Sequence, residues 1–189
     1  MTIGTQRMTA LEFLALSTDD VRSELVHGEI VMMASPNMDH GYAVTQLLLI
    51  VGGHVQTHNL GQLYSDIDTF FGPEDARRPD LLFFASNRLH LIATSNKPEV
   101  PPDLCIEVLS PSNAGYDRTD KFDLYQSASV PCYWIVDPME QTLEAYKLEK
   151  NVYVRSGHGT GADILRLPPF EELEIPLARL WRPGANLQK

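Results

Sequence analysis

Apolar positions recur along this chain with two periods, and the switches between them predict the order of elements. Thr9-Ala-Leu-Glu12 has the spacing of a capping box and opens a short helix carrying Leu11, Phe13, Leu14 and Leu16. Two apolar runs within Ser23–Met33 flank His27-Gly28, which predicts a tight hairpin with glycine supplying the positive φ. Between His40 and His58, the residues Ala43, Leu47, Ile50, Val51 and Val55 fall on one helical stripe. Gly52-Gly53 either weakens that helix or marks a close approach to a sheet, and Asn59-Leu-Gly61 reads as its stop signal.

Beyond residue 61 the texture becomes strand-like. Gln62–Phe71 alternates in part and reads as one strand, while Pro79–Ala85 and Asp103–Leu109 hold the continuous apolar runs of strands buried on both faces. The proline-bearing residues 86–102 between them read as a surface connection. Residues 117–129 read as an amphipathic helix with Phe122 and Tyr125 on one side, followed by a strand at Cys132–Val136 that ends at Asp137-Pro138. Residues 141–148 and 150–155 predict an antiparallel hairpin, and Pro168, Pro169, Pro176 and Pro183 predict an irregular tail. Strand, helix and strand across residues 103–137 form a crossover unit, so the class is α/β or α+β with a mixed central sheet.

Composition narrows the function classes. The 189 residues are 43% hydrophobic and 21% charged, globular values, and no repeat, low-complexity tract or linker divides them, so one domain is expected over residues 1–189. The longest aliphatic run, Leu47–Val51, is far short of the roughly 20 apolar residues of a membrane helix. The first residues lack the apolar core of a signal peptide. Cys105 and Cys132 lie in apolar runs without ligand spacing and read as buried reduced thiols, so a cytoplasmic location is expected. The formal charge is −10. Coating nucleic acid nonspecifically requires an excess of Lys and Arg, so the acidity argues against it while leaving room for a local basic groove. The acid excess is concentrated in residues 61–120, which carry ten acids and five bases, alongside the most strand-like segments.

There two acids interrupt apolar strands. Asp80 opens Asp-Leu-Leu-Phe-Phe, and Glu107 sits inside Leu-Cys-Ile-Glu-Val-Leu. A carboxylate inside such a strand is costly unless cations or donors meet it. On neighbouring strands the two would aim oxygen ligands at one locus, which suits a magnesium ion that keeps several waters. Structural ion pairs with Arg77, Arg78 or Arg118 are the competing account. Lys121 lies on the first turns of the following helix and could swing back over the end of the Glu107 strand, where an amine near a metal-bound water offsets charge on a phosphate.

Four blocks carry a resemblance: Arg78-Pro-Asp-Leu-Leu-Phe83, Pro102-Asp-Leu-Cys-Ile-Glu-Val-Leu-Ser-Pro-Ser112, Asp117-Arg-Thr-Asp-Lys121 and Val130-Pro-Cys-Tyr-Trp-Ile-Val-Asp-Pro138. In unbroken order they resemble the Uma family of bacterial endonucleases, part of the restriction-endonuclease-like superfamily named for its PD-(D/E)XK motif. Glu24-Leu-Val-His-Gly-Glu29 and Ser35-Pro-Asn-Met-Asp-His40 resemble the family's N-terminal pattern, and the match runs over residues 9–180 or so. The resemblance implies a helix, a central mixed sheet of about four core strands and a second helix. It also implies magnesium-dependent cleavage of DNA, with manganese able to substitute. Asp80 and Glu107 would be the metal-binding acids, with the Val108 carbonyl a third ligand. The lysine expected two residues after Glu107 is absent, since Leu109 stands there, and Lys121 takes the role of a lysine migrated to the helix. Glu24 matches the additional N-terminal acid, with Glu29 as runner-up.

Other residues rank lower. His40 could contact a phosphate or cap a helix, and Arg78, Tyr116 and Arg118, with Tyr125, could line a nucleic-acid approach, the aromatics being equally plausible as core. His54 and His58 have i, i+4 ligand spacing but no third ligand, and read as helix-surface histidines. Ser110 and Ser112 read as turn residues, and Gly157-His-Gly-Thr-Gly161 as a hairpin loop. The expected protein is a magnesium-dependent DNA endonuclease, and a homodimer is expected because duplex cleavage needs two sites. The alternatives are a nuclease fold kept as a binding or assembly module, and a hydrolase of smaller phosphate esters.

Overall fold

A computed structural model describes residues 7–16, 22–94, 96–110 and 114–184. Helix α1 (Ala10–Leu16) starts with the capping box in place: the Thr9 N–H donates to Glu12 Oε2 at 2.9 Å and the Glu12 N–H to Thr9 Oγ1 at 3.3 Å. It buries Ala10, Phe13 and Leu14, whereas Leu11 and Leu16 are exposed. Strands β1 (Ser23–Val26) and β2 (Glu29–Met32) form the expected hairpin. Its turn uses positive φ at both His27 (48°) and Gly28 (79°), so histidine shares the left-handed geometry with glycine.

Helix α2 (Met38–Leu47) is capped by Asn37, whose side chain accepts from the His40 N–H at 2.9 Å. It runs through a π-helical turn at Leu48–Gly52 into α3 (Gly53–Thr57). The predicted stripe of Ala43, Leu47, Ile50, Val51 and Val55 is buried as a whole. Neither glycine is forced by a close approach to the sheet: a Cβ on Gly52 would make only ordinary contact with Leu63 Cδ2 at 3.6 Å, and one on Gly53 would meet nothing within 4 Å.

The single strand expected over 62–71 is two. β3 (Gly61–Ser65) and β4 (Thr69–Gly72) belong to different sheets, separated by a left-handed Asp66 (φ 59°) and by Asp68, which is drawn inward onto the Arg78 guanidinium at 2.7 and 3.0 Å. β4 pairs with β5 (Asp75–Arg77) in a four-stranded sheet of order β2-β1-β5-β4. β3 instead pairs with β6 (Leu81–Ala85), which pairs with β7 (Leu104–Val108). Helix α4 (Ala114–Ser127) makes the crossover to β8 (Cys132–Asp137), parallel to β7. β9 (Thr142–Glu149) and β10 (Val152–Thr160) extend the sheet to the order β10-β9-β8-β7-β6-β3, mixed in direction as expected.

The tail departs from expectation. β11 (Ile164–Leu167) and β12 (Phe170–Pro176) form a second hairpin rather than an irregular segment. Gly157 and Gly159 lie within β10, not in a loop. A Cβ on them would collide with the side chains of Leu167 and Leu165, so glycine there admits the overlying hairpin. The prolines do not break this pairing because Pro168 and Pro169 occupy the turn and Pro176 ends its strand.

Alternation along the buried strands sorts side chains onto two faces. Leu104, Ile106 and Val108 join Ala43, Leu47, Val51 and Trp134 in the core beneath α2 and α3. Cys105 and Leu109 face the other way, toward Tyr125, Tyr133 and Ile135 beneath α4. Glu107, between them in the period of two, shares the α4 face. Both thiols are free and buried; burial raises Cys105 well above the usual thiol range and Cys132 to about 12, which makes them inert packing groups. Among the described residues no helix is long and apolar enough to cross a membrane.

Gly61 has φ +152°, and a Cβ there would run into the Phe84 carbonyl oxygen. Gly61→Ala should lower unfolding free energy by about 2–3 kcal/mol in urea titrations. Gly41, on the exposed side of α2 with open space around it, should behave oppositely, Gly41→Ala gaining about 0.5–1 kcal/mol.

Candidate active site

The register that pairs Leu81 with Ile106 in antiparallel β6 and β7 sets Asp80, one residue earlier, against Glu107 at the end of the ladder. Asp80 Oδ2 accepts the Val108 N–H at 2.8 Å, which orients the carboxylate across that strand end. Its other oxygen lies 3.0 Å from His40 Nε2 and 3.9 Å from the Arg22 guanidinium, which also pairs with Asp66. His40 therefore does not cap α2. Its backbone is capped by Asn37 and its ring is turned onto the acid, with Nδ1 buried and unpartnered.

Glu107 points at α4. Lys121 and Tyr125 are four residues apart on that helix and so share a face. Lys121 Nζ lies 2.9 Å from Glu107 Oε2, and Tyr125 Oη donates to Glu107 Oε1 at 2.6 Å. The amine also lies 3.4 Å from Glu24 Oε1, an acid carried in by β1 from the other sheet. Glu24 is held in turn by the Arg78 N–H at 3.1 Å and faces Arg77 Nε at 3.8 Å. Glu24, Glu107 and Lys121 are 1, 2 and 3% exposed, and charges so buried persist only because opposite charge and donors meet them. Burial, with the nearby Glu107 charge second, raises the Tyr125 phenol well above its usual range, so it stays a neutral donor.

Glu24, His40, Arg78, Asp80, Glu107, Val108 and Lys121 all line one small cleft of about 30 Å³. That is space on the order of one or two water molecules. The structure thus brings together every acid and base of the leading set. Glu29 does not join it, being exposed on β2. Arg118 is absent from the cleft lining; it pairs instead with Glu144 and, at 3.5 Å, with Asp137. The side chain of Tyr116, and Ser112, lie outside the described residues. Ser110 lines the cleft, and Tyr125 is core rather than a nucleic-acid contact. The His54 and His58 rings meet at 4.5 Å, tilted by 49°, and neither lines the cleft.

The sequence pattern singled out Tyr125 without its role as a donor to Glu107, and did not single out Arg22 at all. Tyr125 carried a usable signal, its i+4 spacing from Lys121. Arg22 carried none, because only the fold brings it beside Asp80. Among the described residues no three His, Cys, Asp or Glu groups form a ready cage for an ion. The oxygen donors that could hold one are the carboxylates of Asp80 and Glu107 and the Val108 carbonyl. This hard, incomplete set fits magnesium, which keeps several waters, better than it fits zinc.

A helix, the antiparallel strands β3, β6 and β7, a crossover helix and parallel β8, with acids at adjoining strand ends, make a restriction-endonuclease-like nuclease fold. A family model described as "Putative restriction endonuclease" matches residues 10–178, and the chain belongs to that family, Uma2. An uncharacterized protein of Synechocystis sp. is 25% identical over 146 residues, covering 76% of this chain and 82% of that protein. A crystal structure from Anabaena variabilis, described as "a putative nuclease belonging to DUF820", matches with a TM-score of 0.76. It covers 92% of this chain and 97% of that chain at 22% identity, a likeness that shows the fold.

Lys121→Met should cost about 3–5 kcal/mol of stability near neutral pH, because it strands two buried carboxylates. Denaturant titration should also show Glu107→Gln recovering part of that loss when combined with it. A second expectation concerns alkaline pH. Burial raises Tyr125, Tyr153 and Cys105, and lifts Tyr146 and Cys132 to about 12. The folded state therefore holds these protons after the unfolded chain has begun to release them. Their stabilisation is complete below about pH 8 and declines as pH rises, so urea midpoints should fall steadily from about pH 9 upward.

Proposed function

We propose that this protein is a magnesium-dependent DNA endonuclease, with Asp80, Glu107 and the Val108 carbonyl holding the ion and manganese able to replace it. The observation that carries the reading is the Lys121 amine, 2.9 Å from Glu107 at a cleft shared with Asp80. Leu109 stands where the motif lysine is expected and faces α4, so an amine rising from α4 enters the same space. Bound magnesium would supply Lewis acidity and a water of lowered pKa. Lys121 would bring its amine beside an attacked phosphate, where it would offset the charge building there. Tyr125 and the Arg78 N–H fix the carboxylates of Glu107 and Glu24 between which that amine sits. Arg22, which lines the cleft beside Asp80, would meet a phosphate oxygen.

The −10 charge gives no long-range attraction to DNA, so binding depends on local bases and should weaken steeply with salt. Cleavage of both strands of a duplex requires two sites, which a homodimer supplies, and the free buried thiols fit a reducing cytoplasm. A second reading, a nuclease fold retained for binding, draws on the absence of a three-group ligand cage among the described residues. The small cleft also suits a smaller phosphate ester.

Plasmid, linear duplex and single-stranded DNA should be cut with magnesium or manganese and spared with EDTA. Asp80→Asn and Glu107→Gln should each lower the rate by about 10²-fold or more. Calorimetry with magnesium separates the readings. An ion that binds through Asp80 with no cleavage of any DNA or small ester points to the binding module.

A further inference from the structure

From His40 to Ser65 the chain has no Asp, Glu, Lys or Arg, although 21% of its residues are charged and its net charge is −10. The buried half of that run is the core stripe of α2 and α3. The outward half is also uncharged, and it is contiguous in space with β3. There Leu48, Leu49 and Gly52 face Gly61, Gln62 and Leu63 across a groove of about 430 Å³. Leu49, 60% exposed, stands up from the wall of the groove, and β3 ends the six-stranded sheet with no strand on its outer side among the described residues. Loss of charged residues marks the centre of protein interfaces. An open strand edge adds a row of backbone donors and acceptors.

We infer that this face joins two copies of the chain about a two-fold axis. An isologous contact needs projection and recess on one patch, and here the exposed Leu49 side chain rises from the wall of the groove itself. Two molecules at −10 repel, and this uncharged surface is where they approach at least electrostatic cost. Antiparallel pairing of β3 with its copy about Leu63 would set Gly61 against Ser65 and Gln62 against Tyr64, with no like charges opposed. The other exposed apolar edge, Ile30 to Met32 in β2, leads into Met33 and Ala34 of the catalytic cleft, and a copy there would crowd the substrate. The β3 groove shares no residue with that cleft, so both sites of the pair stay open.

Sedimentation velocity over a wide concentration range should show a dimer whose dissociation constant rises about 30-fold or more with Leu49→Glu, the size of a hot-spot loss. Ile30→Glu should leave it unchanged. Because Cys105 and Cys132 are buried, a Gln62→Cys protein treated with a short bismaleimide should link only through the new thiol, and the link should vanish when Leu49→Glu is added. A chain that is monomeric throughout overturns the inference. So does a dimer that survives Leu49→Glu but is broken by Ile30→Glu, or one that fails to link through Gln62→Cys. Glu107→Gln should dimerise like the unaltered chain, so failure of this interface and failure of the nuclease reading register separately.

Discussion

The Lys121 amine, 3.4 Å from Glu24 and 2.9 Å from Glu107, joins three elements that are remote along the chain: β1 of the small sheet, β7 of the large one, and helix α4. Each of these charges alone would be intolerable at its depth, since an unpaired buried ion costs several kcal/mol. Together they are tolerated, and their mutual need restricts how the two sheets and the helix can be assembled. Arg77 and the Arg78 N–H extend the same network behind Glu24, while Tyr125 extends it behind Glu107. The cleft is the front of this network, where Asp80 and His40 complete the wall.

The large sheet supports that arrangement by dividing labour between its faces. One face of β7 offers Leu104, Ile106 and Val108 to the core under α2 and α3, and the other offers Cys105, Glu107 and Leu109 to α4. A period of two therefore separates the wholly apolar packing face from the face that holds the ion-paired Glu107. Position 109 and the inner face of α4 look into the same space, so an amine carried on α4 reaches Glu107 although Leu109 occupies the strand position. The edge of the sheet at β3 carries no charged residue and borders the uncharged groove under Leu49.

Most of the fold was legible from local pattern. The capping box at Thr9, the His27-Gly28 turn, the apolar stripe from Ala43 to Val55 and the apolar runs around Asp80 and Glu107 are all patterns written in residues a few positions apart. The errors share a different cause. Gln62–Phe71 alternates as one strand would, but Asp68 is drawn onto Arg78 and the chain changes sheets. Gly157 and Gly159 resemble a loop because their requirement comes from Leu165 and Leu167, which pack over them from a later hairpin. Arg22 is adjacent in sequence to nothing that marks it, and reaches Asp80 only across the fold.

By itself, then, the sequence determined which residues are apolar, where short-range turns and caps form, and that two carboxylates interrupt strands that should not hold them. The order of the motif blocks determined the family. Convergence was a tertiary outcome. That Lys121 rather than Leu109 meets Glu107, that Glu24 rather than Glu29 enters the cleft, and that Arg118 turns away to Glu144 depend on strand register and helix placement. Spacing along a chain specifies direction within one element, whereas the distance between charges on different elements exists only after packing has set those elements against each other.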